Sequence, residues 1–179
     1  MDNITFNIYG FDKLIQKFHK LDEKVKVNLK DEVNASALRI QSNAKKNAPV
    51  NLGSLRNSIY LKQQSDNKKF VYIVGTDVKY APYIEFGTGG KVSIPAGYSD
   101  YASQFKGKKG GKFKEMVLAL MEWVQKKGIA SGKQSKSVAY AIAINILRKG
   151  LRPQPFLIPA FEAEKTKLKS KIKEILRNA

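Results

Sequence analysis

The sequence predicts an α+β fold in which a long helix packs on a small antiparallel sheet, with additional helices and a long Gly/Lys-rich loop. Three observations carry this prediction. Val25, Leu29, Val33, Ala37, Ile40, Ala44 and Ala48 recur at spacings of three or four, which places them in one stripe along a helix. Short runs of β-forming residues, Ile4 to Tyr9, Ser58 to Gln63 and Phe70 to Thr76, are bounded by turn residues. Further stripes of helical period fill the second half of the chain.

Taken in order, Ile4, Phe6 and Ile8 alternate with Thr5, Asn7 and Tyr9, the pattern of a half-buried strand that Gly10 ends. Asp12 is placed to start a short helix with Leu14, Ile15 and Phe18 on one face. The long helix runs from Asp22 to Asn47, about 35 Å at 1.5 Å per residue. Ala48-Pro49 stops it, because the residue before a proline leaves the helical region. Asn51 to Arg56 reads as a turn, followed by a hairpin of Ser58–Gln63 and Phe70–Thr76 around Ser65-Asp66-Asn67.

Tyr80 to Phe86 reads as a third strand, an aromatic edge segment in which Tyr80, Tyr83 and Phe86 bracket Glu85. Pro82 lacks a backbone donor, and the glycines from Gly87 onward permit a sharp change of direction. The plainer reading is a core strand end followed by a glycine turn. Residues 87–112 then form a long flexible loop, which holds seven of the 13 glycines together with Lys91, Lys106, Lys108, Lys109 and Lys112. Lys112 to Lys127 is helical through Phe113, Met116, Val117, Leu120 and Val124, and Ser135 to Lys149 is helical with a broad apolar face. Gly128 and Gly150 supply their stops. Residues 152–159 form a stiff Pro-rich connector with an apolar plug, Phe156-Leu157-Ile158. It leads to a last helix from Ala160 to Leu176, striped by Phe161, Leu168, Ile172 and Ile175 and coated by Lys165, Lys167, Lys169, Lys171 and Lys173.

A chain of 179 residues is expected to form a single domain, 1–179, with a core of its own. It has no cysteine, which excludes disulfides and thiolate metal sites. Neither a signal peptide nor a membrane span is expected. The net charge is +18, and residues 91–179 hold 19 basic against 6 acidic residues. Charge of this size attracts polyanions. Lysine outnumbers arginine 28 to 5, which suits phosphate attraction more than base reading, so any DNA contact should be sequence-blind.

The motifs of catalysis are missing. There is one histidine, His19, and no Gly-x-Ser-x-Gly nucleophile elbow. Gly87-Thr88-Gly89-Gly90-Lys91 fails as a phosphate loop, since Glu85 stands where glycine is needed and Val92 where Ser or Thr is needed. Glu85 is the one carboxylate in an aromatic setting, and Arg56 is its candidate partner in a structural ion pair. No catalytic residue, metal ligand or cofactor site is expected.

Three segments in order carry a family resemblance. They are Ala44–Val50 with Gly53–Ile59, Val74-Gly75-Thr76 with Tyr80–Thr88, and Arg152–Ala160. Together they resemble the tail-completion (neck, head–tail connector) proteins of long-tailed bacteriophages with non-contractile tails. The resemblance implies a small α+β protein without enzymatic activity that assembles as a ring between head portal and tail tube. It carries Pro49, Gly53, Leu55, Arg56, Tyr80, Tyr83, Glu85, Phe86, Gly87, Pro155, Phe156 and Pro159 as residues that shape fold and interface. Partners implied are further copies of the chain, six being one candidate copy number, and neighbouring neck and tail proteins. The location implied is the virion, with host cytoplasm during assembly and no membrane. The alternative is a stand-alone basic, sequence-nonspecific nucleic-acid-binding protein. The structural reading predicts weak, sequence-blind DNA contact, first at Lys106, Lys108, Lys109 and Lys112 and second at the C-terminal lysines, whereas the stand-alone module predicts tight, salt-sensitive affinity.

Overall fold

The computed structural model describes residues 4–7, 22–50, 53–64, 70–78, 80–103 and 113–178. In chain order its elements are β1 (Ile4–Asn7), α1 (Glu23–Asn47), α2 (Ser54–Ser58), β2 (Ile59–Gln63) and β3 (Tyr72–Thr76). Beyond them come α3 (Ala81–Phe86), a 3-10 turn (Gly89–Lys91), α4 (Ser99–Ser103), α5 (Phe113–Lys126), α6 (Gly132–Lys149) and α7 (Leu157–Arg177). The fold is α+β, as predicted. The elements gather into two compact units, one of Met1–Pro49, Leu55–Val78 and Phe156–Ala179, the other of Val50–Ser54 and Lys79–Pro155.

The first unit is the sheet with α1 and α7. The sheet is antiparallel in the order β1-β3-β2. Thr76 of β3 stands between Ile4 and Ile59, and Val74 between Phe6 and Leu61. Tyr72, Val74 and Thr76 alternate along β3 and form a buried face with Ile59 of β2. The Thr76 hydroxyl is kept from solvent but satisfied, 2.6 Å from the Ser58 hydroxyl and accepting from the Val78 N–H at 3.2 Å.

Helix α1 lies on β2 and β3 on one side and against α7 on another. The Asp22 carboxylate caps its start by accepting from the Lys24 N–H at 3.3 Å, and Glu23 sits in the first turn where the helix dipole favours an acid. Lys45 and Lys46 occupy the last turn, and the Ala48 N–H closes it on the Ala44 carbonyl at 2.9 Å. Every member of the sequence stripe, Val25 through Ala48, is buried.

The second unit holds α3 to α6. Helices α5 and α6 form a hairpin whose core is Val117, Ala139 and Ala143, with Phe113, Met116, Leu120 and Met121 packed around it. Phe113 meets Tyr140 edge-on at 5.3 Å. Gly128, at φ 67°, ends α5 by reversing the backbone, as its position in the sequence predicts.

Four segments differ from their sequence reading. Tyr80–Phe86 is not a strand: residues 81–86 are helical, and the third strand of the sheet is β1. Pro82 falls in the first helical turn, where an N–H would have no intrahelical partner, so its missing donor costs nothing. The connector 152–159 is non-helical only to Phe156, because α7 begins at Leu157 and takes Pro159 into its own first turn for the same reason. Within 87–112, Gly89–Lys91 and Ser99–Ser103 are helical, and 104–112 lie outside the described residues. The stretch Ser54–Ser58, read as turn and strand entrance, is a short helix feeding β2.

Candidate functional site

In the first unit, the third motif segment supplies the start of α7. Phe156 has no exposed surface, and Leu157 and Ile158 are buried with it, so the apolar plug of the sequence is core. The Asn47 amide Nδ2 donates to the Phe156 carbonyl at 3.5 Å, tying the end of α1 to the start of α7. Pro159 is exposed. The first motif segment closes the same end of α1. There Arg56 Nε donates to the Lys45 carbonyl at 2.9 Å, satisfying one of the acceptors that a helix end leaves open. Leu55 is buried, and Pro49 prevents α1 from continuing.

A polar cluster runs through the α1–α7 seam. Glu164 is 2% exposed. Its Oε1 accepts from the Ser36 hydroxyl at 2.8 Å and from Arg39 Nε at 2.7 Å. Arg39 Nη2 donates in turn to Glu32 Oε1 at 2.6 Å. These bonds, first to Glu164 and then to Glu32, hold the Arg39 guanidinium above its usual value. The arrangement is a positioned, charge-assisted network that fixes how two helices meet.

In the second unit, the second and third motif segments are laced together by backbone. The Thr88 N–H donates to the Leu151 carbonyl at 3.0 Å, and the Leu151 N–H donates to the Thr88 hydroxyl at 2.8 Å. The Gln154 N–H donates to the Ile84 carbonyl at 2.7 Å, and the Ser93 N–H to the Phe86 carbonyl at 2.9 Å. Gly87 makes this possible: at φ 78°, a Cβ on it would lie 2.8 Å from the Leu151 carbonyl oxygen and 3.0 Å from Pro153 Cδ. Gly150 caps α6 at φ 71°, and a Cβ there would strike the Thr88 carbonyl. Pro82, Glu85 and Phe86 are buried beside this clasp, Tyr83 is half-buried, and Tyr80 and Pro155 are exposed.

The sequence-predicted residues therefore fall into two sets. Pro49, Leu55, Arg56, Phe156 and Pro159 lie at the end of α1 and the start of α7, while Gly53, at φ 78°, belongs to the second unit. Tyr80, Tyr83, Glu85, Phe86, Gly87 and Pro155 belong to the clasp. Lys106, Lys108, Lys109 and Lys112 lie outside the described residues. Sequence reasoning missed Glu32, Ser36, Arg39 and Glu164. A signal was present: Glu164 stands four residues before Leu168, and Ser36 four before Ile40, so each falls on an apolar stripe where a polar side chain needs a partner.

Residues 12–87 match the family model described as "Bacteriophage HK97-gp10, putative tail-component". This segment is similar to a phage tail component. The match spans α1 through α3 with the β2–β3 pair, and so takes in the first motif segment and the second as far as Gly87. It fits the tail-completion family that the motifs resemble. No curated protein and no solved structure matches the chain. No described helix is long and apolar enough to cross a membrane.

Proposed function

We propose that the chain is a neck or tail-completion component of a tailed bacteriophage, a structural subunit that forms a homo-oligomeric ring between head portal and tail tube. The observation that carries the reading is the tail-component match over residues 12–87, joined to a clasp whose residues act by shaping backbone rather than by chemistry. Apolar side chains left outside are available for subunit contacts: Leu118, Ile129, Tyr140 and Leu147 on and beside the α5–α6 hairpin, and Val92 and Ile94 in the segment after the clasp. The role is non-enzymatic. Its partners are further copies of itself, six being one option, and the adjoining neck and tail proteins, met in the host cytoplasm before incorporation into the virion.

The net charge of +18 favours a second reading, a stand-alone basic protein that binds nucleic acid without sequence preference. The two separate cleanly. Light scattering of the purified protein, with gold-labelled antibody against it on intact particles, should give a defined oligomer and label at the head–tail junction. A protein that stays monomeric with and without its neighbours, and is absent from particles, would overturn the ring. Weak contact with passing DNA through Lys106, Lys108, Lys109 and Lys112 is compatible with the first reading.

A further inference from the structure

Helix α7 carries a row of cations at every fourth position: Lys165, Lys169, Lys173 and Arg177. All four are exposed, while Leu157, Ile158, Ala160, Glu164, Leu168 and Ile172 bury another face of the helix. Among the described residues, only the first member of the row, Lys165, has an acid partner. Of the exposed acids on α7, Glu162 is held by Lys165 at 3.1 Å, and Glu174 is held by Lys171 at 3.0 Å on the far flank. Among the described residues, Lys169, Lys173 and Arg177 have no ion-pair partner. Thr166 and Ser170, small, polar and exposed, stand three residues before Lys169 and Lys173.

We propose that this ridge of α7 is a docking edge for the phosphate backbone of double-stranded nucleic acid. Four-residue steps on a helix rise about 6 Å each, so the ridge is about 18 Å long. One strand of B-form duplex presents a phosphate about every 3.4 Å of axis, so each step meets roughly every second phosphate. Each step also turns the row about 40° around the helix, so an evenly spaced, gently winding ladder faces an evenly charged rod. Three of the four cations are lysines, point charges that suit phosphates and carry no base preference. The ridge is made of other residues than the 104–112 segment, and the proposal holds whether or not the subunits form a ring.

The test is fluorescence anisotropy of the full chain with a labelled 30-base-pair duplex across a salt series. Lys169→Gln/Lys173→Gln removes two ladder charges, and Lys167→Gln/Lys171→Gln removes two from the opposite flank. All four positions are exposed and glutamine is a good helix former, so circular dichroism should report intact proteins. The ladder pair should make the log–log salt slope shallower by about 1.8, at about 0.9 per phosphate contact. Between 50 and 200 mM salt, the loss of affinity should then shrink about 12-fold relative to the parent. The flank pair should leave the slope unchanged. Equal effects of both pairs would mean diffuse attraction by net charge and would overturn the proposal, as would no binding by the parent at 50 mM salt. Polyglutamate competing as well as unlabelled duplex at equal charge would also overturn it, assigning the ridge to an acidic protein surface.

Discussion

Arg39→Met should destabilise the first unit more than Glu164→Gln, although both break the same bond. The asymmetry comes from where each partner is left. Removing Arg39 strands a carboxylate that is 2% exposed, with the Ser36 hydroxyl as its one remaining donor among the described residues. Removing the charge of Glu164 leaves Arg39 with 46% of its side chain exposed and still bonded to Glu32. A fully buried pair that loses one member costs about 3–5 kcal/mol. The solvent access of Arg39 lowers this, so about 2–3 kcal/mol is expected, in the range for hydrogen bonds to charged groups. At about 2–4 °C per kcal/mol for a chain of 179 residues, the melting temperature should fall by roughly 4–12 °C. Glu164→Gln keeps an acceptor for Ser36 and should cost about 1 kcal/mol or less. The double variant supplies the sharper test. With the Glu164 charge gone, Glu32 loses its partner equally in both variants, so the double variant should melt above Arg39→Met alone. Thermal melts of the four proteins followed by circular dichroism form the cycle. A double variant less stable than Arg39→Met, or Glu164→Gln costing more than Arg39→Met, would refute the stranded-charge argument.

Phe156→Ala removes a ring with no exposed surface and should cost about 3–5 kcal/mol, read as a drop in melting temperature; an unchanged melt would contradict its place in the core. Gly150→Ala and Gly128→Ala both force a side chain to positive φ, which alone costs about 1–2 kcal/mol. At Gly150 the new Cβ also meets the Thr88 carbonyl, whereas at Gly128 it meets open space, so urea titrations should show Gly150→Ala to be clearly the more damaging. Burial, helped by the charge of Asp31, raises the Tyr72 phenol above its usual value near 10. A value raised on folding gives stability that is present below the unfolded pKa and lost as pH rises through the folded one. Tyr72→Phe should therefore flatten the alkaline fall of the melting temperature between about pH 9 and 11, and an identical fall in both proteins would argue against it.

Local features of the fold were legible in the sequence. The α1 stripe, the β2–β3 pair, the glycine stops of α5 and α6 and the Phe156 plug each come from spacing or from one residue's stereochemistry. Pairings between distant segments were not legible. Glu164 and Ser36 are 128 residues apart, and a helical stripe marks each as buried without saying what it meets. The same holds for β1, whose alternation is plain but whose neighbour, β3, lies across α1 in the chain. The differences at Pro82 and Pro159 share one physical cause. A proline in the sequence suggests extended chain, but the first turn of a helix tolerates it, since no N–H there has a partner within the helix. The residues beyond each proline distinguish the cases: Glu85 and Phe86, three and four positions past Pro82, are both buried, and so are Leu168 and Ile172 along the helix that Pro159 opens. The prolines in these two motif segments therefore mark where helices begin. Pro82 opens the short helix that delivers the chain to its reversal at Gly87, and Pro159 opens α7 once Phe156 is seated. Their conformational limits act on the approach to the clasp and to the α1–α7 seam, which is how a set of residues without chemistry of its own can still be specific in sequence.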